Sequence, residues 1–136
     1  MKKALIIAVI TFGIIGCTQS QDKHNHSHTE KISLNKGEKW KVDENMMLHI
    51  RNIEQSIQAF TTNEDKQYVE LGTELQSHLD LLTSNCTMKG QAHDELHKWL
   101  VPFMGLVEDL SDTKQNGDVV FQDIEASMKT FNKYFD

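Results

Sequence analysis

Residues 43–60, DENMMLHIRNIEQSIQAF, decide the fold. Met46, Ile50, Ile53, Ile57 and Phe60 recur every three or four positions, the period of one face of an α-helix. Asp43 stands just ahead of the run, where a helix N-cap belongs. The same period returns downstream. In residues 62–86, TNEDKQYVELGTELQSHLDLLTSNC, it carries Tyr68, Leu71, Leu75, Leu79, Leu82 and Cys86. A third helix is expected after Gly90, with Ala92, Leu96, Trp99, Leu100, Phe103, Val107 and Leu110 on its apolar face. Pro102 falls inside it and should kink or interrupt the rod near Lys98 and Trp99, because proline lacks the donor that closes the turn. Asn116-Gly117 is a turn signal, and Val120, Ile124, Met128, Phe131 and Phe135 mark a fourth helix. Four amphipathic helices on short loops predict an all-α fold, an up-down-up-down four-helix bundle. A three-helix core with the fourth helix flanking it is the alternative architecture.

Upstream of this run the pattern changes. Residues 31–43, KISLNKGEKWKVD, place Ile32, Leu34, Trp40 and Val42 around a turn signal at Asn35-Lys36-Gly37. They are expected to form a short hairpin or an extended strap before helix one. Residues 18–31, TQSQDKHNHSHTEK, have no aliphatic side chain to bury and read as a solvated tether. His24, His26 and His28 alternate within it, a composition that chelates divalent metal weakly or serves only as a spacer.

Residues 1–17, MKKALIIAVITFGIIGC, begin with Lys2 and Lys3 and run apolar from Ala4 to Ile15. That is the layout of a secretory signal, too short for a comfortable transmembrane span. The ending Ile14-Ile15-Gly16-Cys17 resembles the lipobox of bacterial lipoproteins. The resemblance implies cleavage before Cys17, diacylation of its thiol and acylation of the new amino terminus. A membrane anchor through N-terminal lipid follows, with the domain outside the cytoplasm in the cell envelope. The expected organisation is a signal peptide at 1–16, a lipid-anchored His-rich tether at 17–31 and a bundle domain at 32–136. Losing the signal leaves 120 of 136 residues and removes two lysines, so the formal charge moves from −6 to −8. An acidic chain with no basic patch and no interleaved aromatics excludes nucleic acid as the expected partner.

With Cys17 taken by lipid, Cys86 is the remaining thiol of an exported chain, either ligating, reactive or a buried inert residue. It opens residues 86–100, CTMKGQAHDELHKWL. An up-down topology brings the start of helix one, the end of helix two and the start of helix three to one pole. Met46, Met47, His49, Cys86, Met88, His93 and His97 all fall there, whereas His78 lies two turns back from Cys86. His93 and His97 are i and i+4, neighbours on one helix face about 5–6 Å apart at Cβ. Thiolate, thioether and imidazole together suit Cu(I), and cysteine with two histidines also suits Zn(II). The expected metal set is therefore Cys86, Met88, His93, His97 and His49. Met46 and Met47 are either ligands or packing.

Enzyme readings have less to stand on. HDELH, residues 93–97, shares the histidine spacing of H-E-x-x-H, but Asp94 replaces the general-base glutamate. There is no paired Glu-x-x-His for a di-iron bundle and no C-x-x-C-H for covalent haem. Non-covalent haem held by a histidine and a methionine is a third reading. The expectation is a non-enzymatic metal-binding protein that buffers copper or delivers it to a metal-transfer or envelope partner. The competing class is an adaptor lipoprotein whose bundle docks a membrane or envelope protein.

Overall fold

The computed structural model describes residues 31–136. Four helices follow one another: α1 Glu44–Thr62, α2 Tyr68–Ser84, α3 Gln91–Ser111 and α4 Gly117–Tyr134. Each packs on the next, α1 on α2, α2 on α3 and α3 on α4, giving an all-α four-helix bundle. Side chains also join α1 to α4: Arg51 Nη1 donates to Asn132 Oδ1 at 3.0 Å, and Asn132 Nδ2 donates to Glu54 Oε1 at 2.6 Å. Burial alone would raise the Glu54 carboxyl, but the bonds from Asn132 and Arg51 outweigh it and hold the group below its ordinary range.

The apolar stripes read from the sequence are the core. Met46, Ile50, Ile53, Ile57 and Phe60 are the buried residues of α1, and Leu71, Leu75, Leu79 and Leu82 are buried on α2. Leu96, Trp99, Leu100, Phe103, Val107 and Leu110 line α3 from within, facing Val120, Ile124, Met128, Phe131 and Phe135. Tyr68, Cys86 and Ala92 are only partly buried at the edge of this core. Burial of such a stripe, more than local propensity, is what holds helices of this length.

Two local expectations change. Pro102 does not interrupt α3, which runs unbroken from Gln91 to Ser111. Phe103, Val107 and Leu110 beyond it are buried against the bundle, and that packing holds the helix despite the lost donor. Asp43 occupies the N-cap position but caps with its backbone carbonyl, which accepts from Met46 and Met47. Its carboxylate instead accepts from Thr87 Oγ1 at 2.5 Å, tying the start of α1 to the α2–α3 loop.

The bundle's two ends are built differently. At the end where α1 stops and α4 starts, the rings of Phe60, Tyr68 and Phe121 meet tilted, with centroids 4.9–6.3 Å apart. Tyr68 donates to Asp118, and any Cβ on Gly117 would overlap the Tyr68 ring, so glycine permits the approach of α2 and α4. At the other end, residues 32–42 lie as a strap across α3 and α4. Asn35 and Glu38 exchange backbone hydrogen bonds at 2.9 Å around Lys36 and Gly37, whose φ angles of 52° and 98° make the tight turn. Trp40 is buried and pairs with the backbone of Tyr134 and Asp136, so the strap holds the C-terminal end of α4.

Candidate metal centre

The antiparallel path collects the soft and imidazole donors near the strap end, as cross-links there make plain. Asn45 Nδ2 on α1 donates to the carbonyl of Asn85 at 2.8 Å, just before Cys86. Met46 is fully enclosed in the core, with 1% exposed, and Met88 is buried at 9%. Both side chains pack in the core, as is usual for methionine in an irregular gap. Met47 and Cys86 are half-buried and lie against the same core. The Cys86 thiol forms no disulfide among the described residues.

His93 and His97 stand side by side on the first turns of α3, ring centroids 4.2 Å apart and tilted by 47°. Nδ1 of His93 lies 3.6 Å from the Asp94 carboxylate, beyond hydrogen-bond reach. His97 is exposed and His93 half-buried. The i,i+4 spacing thus brings two imidazoles into contact, as expected. Among the described residues, however, no group of three or more His, Cys, Asp or Glu side chains is arranged to hold a metal ion. Cys86, His93 and His97 share an end of the bundle without forming such a triad. Cys17, His24, His26 and His28 lie outside the described residues.

Comparison with protein families, with curated proteins and with solved structures gives no match.

His78 is where the structure departs most from expectation. Its ring faces His49 across the α1–α2 seam, centroids 6.0 Å apart and tilted by 40°. Antiparallel helices pair residues counted forward on one with residues counted back on the other. His49 sits five residues into α1 and His78 six before the end of α2, so both lie about 8–9 Å from the same end at 1.5 Å per residue. Distance along the chain from Cys86 hid this pairing. Nδ1 of each ring is buried, and among the described residues neither has a hydrogen-bond partner.

Glu95 gave no sequence signal beyond its position on the apolar face of α3. It is 4% exposed, the buried charged residue of the described chain. Ser33 donates its backbone N–H at 2.9 Å and its hydroxyl at 3.1 Å to the two carboxylate oxygens, and Lys98 Nζ donates at 2.9 Å. Burial pushes the carboxyl upward, but Lys98 and Ser33 outweigh it and hold the group below its ordinary range. Trp40 Nε1 donates to the Ser33 carbonyl at 2.6 Å, completing a clasp that pins the strap to α3. An apolar residue would be the default at this position. A carboxylate there marks an anchoring point for the strap.

Proposed function

We propose that the chain is a lipid-anchored protein of the cell envelope whose helical domain binds a soft or borderline metal ion, Cu(I) foremost and Zn(II) second. The observation that carries the reading is the pairing of the domain's histidines. All four are in ring contact or facing range of another, His93 with His97 and His49 with His78. Chance placement on a helical surface leaves imidazoles scattered, and imidazole pairs are the commonest protein donors for copper and zinc. The Ile14-Ile15-Gly16-Cys17 lipobox and the polar tether with His24, His26 and His28 supply the anchor and a further imidazole-rich stretch. Among the described residues no helix is long and apolar enough to cross a membrane. The protein acts by holding the ion for storage or transfer and not by catalysis.

The adaptor reading has its own observation. Val101 is 61% exposed on α3, above a groove between α2 and α3 that Gln76, Met104 and Gly105 also line. Glu108 and Ser111 complete its lining, and an exposed valine and a methionine rimmed by polar groups suit a protein contact.

Thermal unfolding of the intact chain in detergent, with and without Cu(I) under reducing conditions and separately with Zn(II), tests the metal reading. A ligand bound only by the folded state raises the midpoint with concentration. A midpoint that moves with neither metal leaves the adaptor.

A further inference from the structure

The α1–α2 seam carries three polar rungs at increasing depth from the strap end. The outer rung closes directly, Asn45 Nδ2 donating to the Asn85 carbonyl at 2.8 Å. The inner rung closes directly too, Ser56 Oγ donating to Glu74 Oε1 at 2.5 Å. The middle rung is His49 and His78. Their centroids are 6.0 Å apart, and both Nδ1 atoms are buried without a protein partner. Two nitrogens cannot be joined by one hydrogen bond across rings this far apart. A buried nitrogen left without a partner is destabilising.

We infer that His49 and His78 form a two-imidazole copper(I) site that clips α1 to α2. This deepens the metal-binding reading and rests on it. The separation is the first argument. With a metal–nitrogen distance of about 2.0–2.1 Å, two rings sharing one ion have centroids about 5.2 Å apart at a tetrahedral angle and about 6.4 Å apart at linearity. The observed 6.0 Å lies between these limits, at an open angle of about 140°. Copper(I), a closed-shell ion, accepts two donors near linearity, whereas zinc(II) asks for four. The second argument is chemical. Neutral imidazole is a good donor for copper, and metal coordination gives each orphaned ring nitrogen a partner. The third is access: both residues are half-buried, so the seam is open enough to admit an ion yet excludes most of the bulk water. The pair also sits on two helices, so one bound ion links elements joined by the residue 63–67 loop at the opposite end of the bundle.

The site is separable from the His93–His97 pair. The experiment uses the intact chain in detergent with His24, His26 and His28 replaced by serine, so that the tether does not compete. Cu(I) is presented from a chromophoric chelator under reducing conditions, and affinity is read from competition. Three further variants are measured on this background: His49→Leu with His78→Leu, His93→Ala with His97→Ala, and all four together. The expected result is a loss of about tenfold or more in affinity for the first equivalent of Cu(I) in the first variant, and a smaller loss in the second. Circular dichroism and the metal-free melting midpoint establish that each variant folds. If the His93–His97 variant loses the affinity while the His49–His78 variant keeps it, this inference is overturned and the metal-binding reading survives. If the parent and all variants fail to compete for Cu(I), both fall. Equal affinity in all four chains also overturns the inference, because the ion then sits elsewhere.

Discussion

The α3–α4 seam and the α1–α2 seam are both helix–helix contacts of an antiparallel pair, yet they are finished differently. Across α3 and α4, Trp99 stacks on Phe103 at 4.8 Å and meets Phe131 at 4.7 Å, and Phe131 stacks on Phe135 at 5.2 Å. The one polar group in this aromatic block, Trp99 Nε1, donates to the Ser127 carbonyl at 3.0 Å. Across α1 and α2, two histidines face each other with buried Nδ1 atoms that the protein does not bond. A seam built for stability satisfies its polar atoms and fills with apolar contact. A seam that leaves ring nitrogens without partners gives up stability, and under the proposed reading it does so for metal binding. The difference predicts which residues matter for folding and which for function.

Removing a side chain from the aromatic seam should hurt most. Trp99→Ala deletes contacts with Phe103 and Phe131 and is expected to cost about 3–5 kcal/mol, read from denaturant unfolding. A loss under about 1 kcal/mol would mean that α4 flanks the core without completing it.

Next comes the clasp of the strap. Glu95→Gln keeps the shape but weakens the bonds from Ser33 and Lys98, with an expected loss of about 1–3 kcal/mol. The effect should depend on pH. The Glu95 carboxyl is held below its ordinary 4.5, so the stability it contributes is present above that value. It is lost as pH falls through the lowered folded value. The gap between wild type and Glu95→Gln should therefore narrow in acid, measured as melting midpoints from neutral pH down past 4.5. A gap that stays constant would show that Gln disturbs packing and not charge.

The histidine seam should respond less. In metal-free solution His49→Leu or His78→Leu should leave stability within about 1 kcal/mol of wild type or raise it, since each removes a buried nitrogen that has no partner. A loss as large as that of Trp99→Ala would erase the contrast between the seams.

The smallest effect belongs to the far end of the bundle. The Tyr68 hydroxyl is pushed up to about 12 by its hydrogen bond to Asp118, by burial and by the charge of that carboxylate. Any stability from this raised value is present below the ordinary 10 and lost as pH rises through about 12. Tyr68→Phe should cost under about 1 kcal/mol at neutral pH and should remove a late tyrosinate step from an ultraviolet titration. Loss of an early step instead would mean that Tyr68 titrates as an ordinary phenol.

The fold was legible because burial and helical period coincide. Met46, Ile50, Ile53, Ile57 and Phe60 were expected on one face of α1 and are buried there. The Asn35-Lys36-Gly37 turn was legible because asparagine and glycine two residues apart are both turn formers. The candidate site was legible only in part. The i,i+4 spacing of His93 and His97 is a property of one helix, so sequence gives it directly. His49 and His78 meet across two helices, and their pairing depends on how α1 and α2 align, which loop length alone does not set. Met88 lies buried in the core, and the Glu95 carboxylate is buried too, held by Ser33, 62 residues away, a partner that local sequence does not reveal.

The central claim is that the two histidines facing across α1 and α2 hold copper(I). Nitrogen NMR of the histidine rings, on the intact isotopically labelled chain in detergent during a Cu(I) titration under reducing conditions, addresses it atom by atom. Copper(I) is diamagnetic, so ligating nitrogens shift without broadening away. The account predicts that His49 and His78 move together and are complete at one equivalent, ahead of His93, His97 and the tether histidines. A first equivalent that moves His93 and His97 while His49 and His78 stay in place would contradict it.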